Sequence, residues 1–210
     1  AHGLLPHEII EVPPPAVEQF LGDWEQHVPN RAMFDAAAGQ ADYAVRAIMF
    51  TDIEGSTSHL SREGDHSHVE IIRRHNSIIR TRLDEHAGDE VKHTGDGIMA
   101  SFKSVSRAVE CTIAIQRDFA RQRDLDPETA VHVRVGLSAG EPIEDSNDLF
   151  GAAVNLAARA CTHAAAGQIL VTGAIKELCV GKRIPFMDMG LIALKGFDEP
   201  VRLYEVAWRD

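Results

Sequence analysis

Between residues 44 and 138 of this 210-residue chain, short apolar runs of strand length alternate with two long stretches of helical periodicity. That order limits the folds available. AVRAIMF (44–50), closed by Thr51-Asp52, predicts a buried strand. Residues 65–87 carry Val69, Ile72, Ile79 and Leu83 at helical spacing, and residues 104–123 do the same with Val105, Val109, Ile113 and Phe119. Between these two helices, DEVKHTGDGIMASF (89–102) reads as a hairpin with Gly95-Asp96-Gly97 at its tip, and VHVRVGLS (131–138) reads as a further strand. Strand, helix, hairpin, helix, strand is the order of the ferredoxin-like split βαβ fold. The expected class is therefore α+β, with a βαββαβ core whose antiparallel-containing sheet is covered by helices. A C-terminal extension follows. It comprises an Ala-rich helix (151–164), the strand QILVT, the short helix AIKELCV, and strands near 184–194 and 201–207.

Residues 1–42 have a different texture. Pro13-Pro14-Pro15 punctuates them, and residues 16–28 form a short amphipathic pattern with Val17, Phe20, Leu21 and Trp24 on one face. Pro29-Asn30 ends that pattern, and an Ala/Gly-rich stretch leads to a composition shift near Tyr43. The expected division is a linker or remnant over 1–42 and the main domain over 43–210. Because the chain opens on Ala rather than Met, an upstream regulatory domain is expected to be missing from it.

Charge narrows the partners. Lys and Arg number 21 against 32 Asp and Glu, a formal charge of −11. Such a chain has no broad surface for counterion release, so no nucleic acid is expected as a partner. It also lacks the basic tract that would hold it on an anionic membrane, and no apolar run reaches membrane-spanning length. Cys111, Cys161 and Cys179 are odd in number and show no CxxC spacing, which argues against a disulfide framework or zinc cluster and points to a reducing, cytoplasmic setting. No GxxxxGK[ST] loop and no GxSxG elbow are present.

Two carboxylates stand out. Asp52 follows directly on the first strand, and Asp96 sits at the hairpin tip. In a ferredoxin-like sheet these strands are neighbours, so both carboxylates can face one point. Such a pair suits Mg²⁺, which takes hard oxygen ligands and shares them with substrate phosphates. Glu54-Gly55-Ser56-Thr57 can open a helix whose backbone N–H groups favour a polyphosphate. Each residue also has a plain reading. Asp-Gly is a common turn pair, Asp52 can cap, Asp148 can be a loop residue, and Lys92 can be exposed. Asn155 and Arg159, four apart on an Ala-rich helix, can be a solvated stripe.

Taken jointly, FTDIEGST (50–57), KHTGDG (92–97) and DLFGAAVNLAAR (148–159) resemble the catalytic domain of the class III nucleotidyl cyclases in order and spacing, over roughly residues 44–207. The resemblance implies roles for individual residues. Asp52 and Asp96 match the family's metal-binding aspartates, and Ile53 the residue that lends a metal its backbone carbonyl. Lys92 and Asp148 match the pair that recognises adenine, Asn155 the ribose-holding residue, and Arg159 the residue that stabilises the transition state. Lys195, in LKGFDEPVRLYEV, resembles a lysine that contacts the terminal phosphates. Phe150 departs from the pattern, since many relatives carry Trp there, but it keeps the position aromatic. The resemblance further implies two divalent cations (Mg²⁺ or Mn²⁺), ATP as substrate, 3′,5′-cyclic AMP and pyrophosphate as products, and a head-to-tail homodimer. In such a dimer one subunit supplies the metal aspartates and the other supplies the remaining residues.

Chemistry supports the base assignment. Adenine presents an acceptor at N1 and a donor at its amine, which a Lys and a carboxylate satisfy, whereas guanine reverses the pattern. Other readings stay open on sequence alone: a catalytically weak nucleotide-binding regulatory module of the same fold, a guanylate cyclase, or a diguanylate cyclase, whose Gly-Gly-acidic-Glu-Phe turn is replaced here by Thr94-Gly95-Asp96-Gly97.

Overall fold

The computed structural model describes residues 44–54, 65–126 and 131–209. The amphipathic pattern at 16–28, the stretch 31–42 and the loop residues Gly55, Ser56 and Thr57 lie outside them. The described chain runs β1 (Arg46–Ile53), α1 (Asp65–His86), β2 (Gly88–His93), β3 (Ile98–Phe102), α2 (Val105–Leu125) and β4 (Val133–Gly140). It continues through β5 (Ile143–Asp145), β6 (Asp148–Phe150), α3 (Ala152–His163), β7 (Ile169–Thr172), α4 (Gly173–Leu178), β8 (Phe186–Ile192) and β9 (Val201–Val206).

Seven strands form one sheet in the order β2-β3-β1-β4-β7-β9-β8. Its first four strands are antiparallel throughout, which is the βαββαβ core expected from the element order. The C-terminal extension widens this sheet through β7, which runs parallel to β4, and through β9 and β8, antiparallel to their neighbours.

Strand alternation divides the core in two. Ala47, Met49 and Ile53 of β1, with Val133, Val135 and Leu137 of β4, bury against Ile79 and Leu83 of α1 and against Val109, Ile115 and Phe119 of α2. The other face carries Ile48, Phe50 and Met99, covered by Val154, Ala157, Ala158 and Cys161 of α3. Small residues bring α3 unusually near the sheet. A Cβ built on Gly136 of β4 would stand 2.1 Å from the Cys161 nitrogen and 2.3 Å from the Ala157 carbonyl oxygen, so only glycine permits this seating.

One hairpin was not expected. β5 and β6 pair as a separate two-stranded ribbon, with Asp145 opposite Asp148. Ser146 (φ 51°) and Asn147 (φ 66°) both adopt left-handed backbone, as a two-residue primed turn requires. Asp148 thus opens a strand rather than lying in a loop.

Candidate active site

Asp52 lies on the face of β1 shared with Ile48 and Phe50, beneath α3, and is fully buried. Directly across the ladder stands Arg134 of β4. The Arg134 guanidinium donates through Nε and Nη2 to Asp52 Oδ2 at 2.7 and 2.5 Å, and through Nη1 to the Thr162 carbonyl at 3.0 Å. Asp96 arrives from the β2–β3 turn. That turn is pressed onto the end of β1: a Cβ on Gly97 would stand 1.9 Å from the Thr51 carbonyl oxygen.

The two carboxylates are therefore buried side by side. Burial, and then the charge of Asp96, push the Asp52 carboxyl from 3.8 up to about 7, with Arg134 opposing both. Asp52 Oδ1 is buried and accepts no hydrogen bond among the described residues. An orphaned carboxylate oxygen facing a second carboxylate is costly, and a cation between the two removes that cost. Among the described residues no group of three or more His, Cys, Asp and Glu side chains gathers. This donor set fits a hard cation that completes its shell with water, backbone carbonyl and substrate oxygens, and does not fit a structural zinc site. The Ile53 side chain belongs to the opposite core, so only its carbonyl is available to such an ion. Glu54 is exposed at the end of β1.

A second group sits on the same face of the sheet. Lys92 of β2 pairs across the ladder with Met99, whose side chain packs under α3, and its ammonium donates to Asp148 Oδ2 at the start of β6. Asp148 Oδ1 accepts from the Leu149 backbone N–H at 2.8 Å, and the Phe150 ring lies 5.9 Å from Lys92 Nζ. Lys92 is thus held by a partner rather than standing free in solvent. Asn155 and Arg159 are one turn apart on α3. Arg159 is only 9% exposed, and Asn155 Oδ1 is buried without a partner among the described residues. They do not form a solvated stripe. Lys195 is exposed in the turn between β8 and β9.

Lys195 sits at the opposite end of the sheet from Asp52, whereas Lys92, level with Phe50 through Met99, lies toward the Asp52 end. Asp52 pairs with Arg134 at the beginning of β4, and β7 runs parallel to β4, so Ile169 lies at the Asp52 end. β9 runs back, and Ile192 of β8 pairs with Val201, which places Lys195 at the far end. α3 runs antiparallel to β4, with Thr162 beside Arg134 and Ala153 beside Gly140. Asn155 therefore lies about 10 Å up the helix from Thr162, at 1.5 Å per residue.

The model of the adenylate and guanylate cyclase catalytic domain matches residues 40–207. The chain belongs to this family. Over 166 residues the cyclase domain is 32% identical to a putative adenylate cyclase 3 of Rhizobium meliloti, covering 78% of this chain and 28% of that protein. It thus spans little more than a quarter of that relative's length. Among solved structures, an adenylate cyclase of Trypanosoma brucei, described in its monomeric state, superposes with a TM-score of 0.69 at 26% identity, covering 80% of this chain and 90% of that one. The adenylyl cyclase CyaB of P. aeruginosa gives the same TM-score at 23% identity, covering 78% and 93%. The guanylyl cyclase Cya2 gives 0.68 at 22% identity, covering 78% and 91%, so this fold serves both bases.

Arg134 escaped the sequence reading, which took VHVRVGLS only as a strand. The signal was there: an arginine within a buried, alternating strand requires a buried counter-charge, and the neighbouring strand ends in Asp52.

Proposed function

We propose that this cyclase domain is an adenylate cyclase that forms 3′,5′-cyclic AMP and pyrophosphate from ATP at composite sites in a head-to-tail homodimer, with residues 1–42 as a linker or the remnant of an upstream region. The observation that carries the choice of base is the Lys92–Asp148 pair, held together on the α3 face beside Phe150. A lysine offers only donors and an aspartate only acceptors, so the pair answers the N1 acceptor and the exocyclic amine of adenine. Guanine would set donor against donor at this half-buried pair, a mismatch that costs orders of magnitude in discrimination once the site closes on the base.

Asp52, Asp96 and the Ile53 carbonyl would hold two divalent ions, which supply a lowered pKa at the ribose 3′-hydroxyl and charge neutralisation at the phosphates. The chain's own residues do the positioning. Asn155 orients the ribose, so that the 3′-oxygen lies in line with the α-phosphorus. Arg159, nearly buried on the same helix, aims its donors at the charge that grows on the α-phosphoryl oxygens. Lys195, with Glu54 and the backbone of Gly55, Ser56 and Thr57, receives the β- and γ-phosphates. Within one chain Lys195 and Asn155 lie toward the sheet end away from Asp52. This separation supports a site completed by a second copy.

The test is product formation from ATP and from GTP, with Mn²⁺ and with Mg²⁺, over a range of protein concentrations. Cyclic AMP, with a specific activity that climbs as protein concentration rises, is the expected result. Cyclic GMP formed in preference would overturn the base assignment, and no product from a chain shown to be dimeric would make this a regulatory nucleotide-binding module.

A further inference from the structure

Arg134 has two grips that belong to different parts of the site. Nε and Nη2 hold the metal-facing carboxylate Asp52, and Nη1 holds the Thr162 carbonyl. Thr162 lies in the last turn of α3, where carbonyls have no partner within the helix and the helix dipole is negative. The guanidinium is thus at once the counter-ion of Asp52 and the cap of the helix that carries Asn155 and Arg159. It is almost buried, with its side chain 12% exposed, so little water dilutes either contact.

We propose that Arg134 is a positioning residue that couples cation occupancy at Asp52 to the seating of α3, and through it one site of the dimer to the other. The inference rests on the composite-site reading above. Without a cation at Asp52, the guanidinium answers the carboxylate's charge. A divalent cation taken up between Asp52 and Asp96 assumes that charge and repels the guanidinium, which changes its hold on Thr162. α3 is a continuous helix resting directly on Gly136, so a shift in its last turn is carried to Arg159 and Asn155, three and seven residues back. In the shared-site dimer, Asp52 serves one site while α3 of the same chain serves the other. Linkage then makes the effect reciprocal: a nucleotide held by α3 changes the cation affinity of its own chain's Asp52 by the same factor, for which about fivefold is the low end of known couplings.

The experiment is amide hydrogen exchange over α3 in the dimeric chain without nucleotide, with and without saturating Mn²⁺. Mn²⁺ binding is measured separately from the loss of the free-ion electron paramagnetic resonance signal. In the native chain, Mn²⁺ should change exchange at the last turn of α3 by about fivefold or more, with the change reaching the Asn155 turn. Asp52→Asn without metal should shift the same amides in the same direction, because neutralising the carboxylate releases the guanidinium as a cation does. Arg134→Lys keeps the charge but cannot bridge both partners, and its response should shrink below about twofold. Bound Mn²⁺ without any response in the native chain, an Arg134→Lys response equal to the native one, or an Asp52→Asn protein resembling the metal-free native chain would each overturn the proposal. If Arg134→Lys fails to fold, the Asp52→Asn comparison decides. A native chain that binds no Mn²⁺ overturns both this coupling and the metal reading. Failure of the shared-site reading shows elsewhere, as Asp52→Ala and Arg159→Ala chains that stay inactive when mixed.

Discussion

At the scale of single residues, two buried side chains carry opposite kinds of consequence. In its proposed role Arg159 meets charge that exists fully only in the transition state, so its loss should lower kcat rather than raise KM. For Arg159→Ala we expect a fall in kcat of about 10²–10³-fold, with the KM for ATP changed by no more than about threefold, measured by steady-state kinetics. A rise in KM at unchanged kcat would assign Arg159 to ground-state binding instead. His75 bears on stability. It continues the Ile72, Ile79, Leu83 stripe of α1 into the core and is fully buried, 5.7 Å from the Phe119 ring. Its Nδ1 lies 3.0 Å from Asn76 Oδ1, while Nε2 is buried with no partner among the described residues. Burial pushes its pKa from 6.5 down to about 4, against smaller opposing pulls from the hydrogen bond to Asn76 and then from the charge of Asp96. The folded state therefore disfavours the protonated ring. Stability from this group is complete above the unfolded pKa of 6.5 and is lost as the pH falls through that value toward 4. Between about pH 7.5 and about pH 5 the loss amounts to about 2 kcal/mol. In urea titrations His75→Leu should remove that portion of the pH dependence, and an unchanged slope would place the titration elsewhere.

The elements show what a sequence carries and what it does not. Both long helices were legible from their periodic stripes, and β1, the β2–β3 hairpin and β4 from short runs of strand length, buried on both faces in β1 and β3; their boundaries moved by only a few residues. β5 and β6, three residues each, are too short for a period to register, and their turn uses Ser146 and Asn147 rather than an Asn-Gly pair. The Ala-rich helix was legible as a helix but not as a buried one. Its polar residues looked solvated because nothing in the pattern of α3 tells how close the sheet comes. The missing term was Gly136, on a different strand. Gly136→Ala should therefore destabilise the chain by about 3 kcal/mol, since the new methyl group meets backbone of α3 rather than a side chain that can turn away. Gly173→Ala is the control. Its methyl group meets nothing nearer than Tyr204 at 3.9 Å, and stability should hold within about 0.5 kcal/mol or rise. Equal losses at the two positions in urea unfolding would mean that α3 can lift from the sheet without cost.

At the scale of the whole molecule, the sheet is what separates the chemistry. Asp52, Asp96 and Arg134 gather at one end of the central strands, while Lys195 and the first half of α3 point to the other. On the proposed reading a single chain offers half of two sites rather than the whole of one, and a two-fold or pseudo-two-fold partner supplies what each half lacks. The arithmetic of mixing makes this testable without any structural probe. In the proposed dimer Asp52→Ala chains lack a metal carboxylate and Arg159→Ala chains lack the transition-state donor, so each homodimer should be dead at both sites. In a mixed dimer one site inherits both defects and the other inherits neither. With equal amounts and random exchange, half of the dimers are mixed and each has one of two sites intact, so the mixture should recover about a quarter of the native specific activity. A mixture as inactive as its components, once mixed dimers are shown to form, would place Asp52 and Arg159 in the same site of the same chain. Recovery well above a quarter would mean instead that the intact site works faster beside a dead one, the signature of sites that hold each other back.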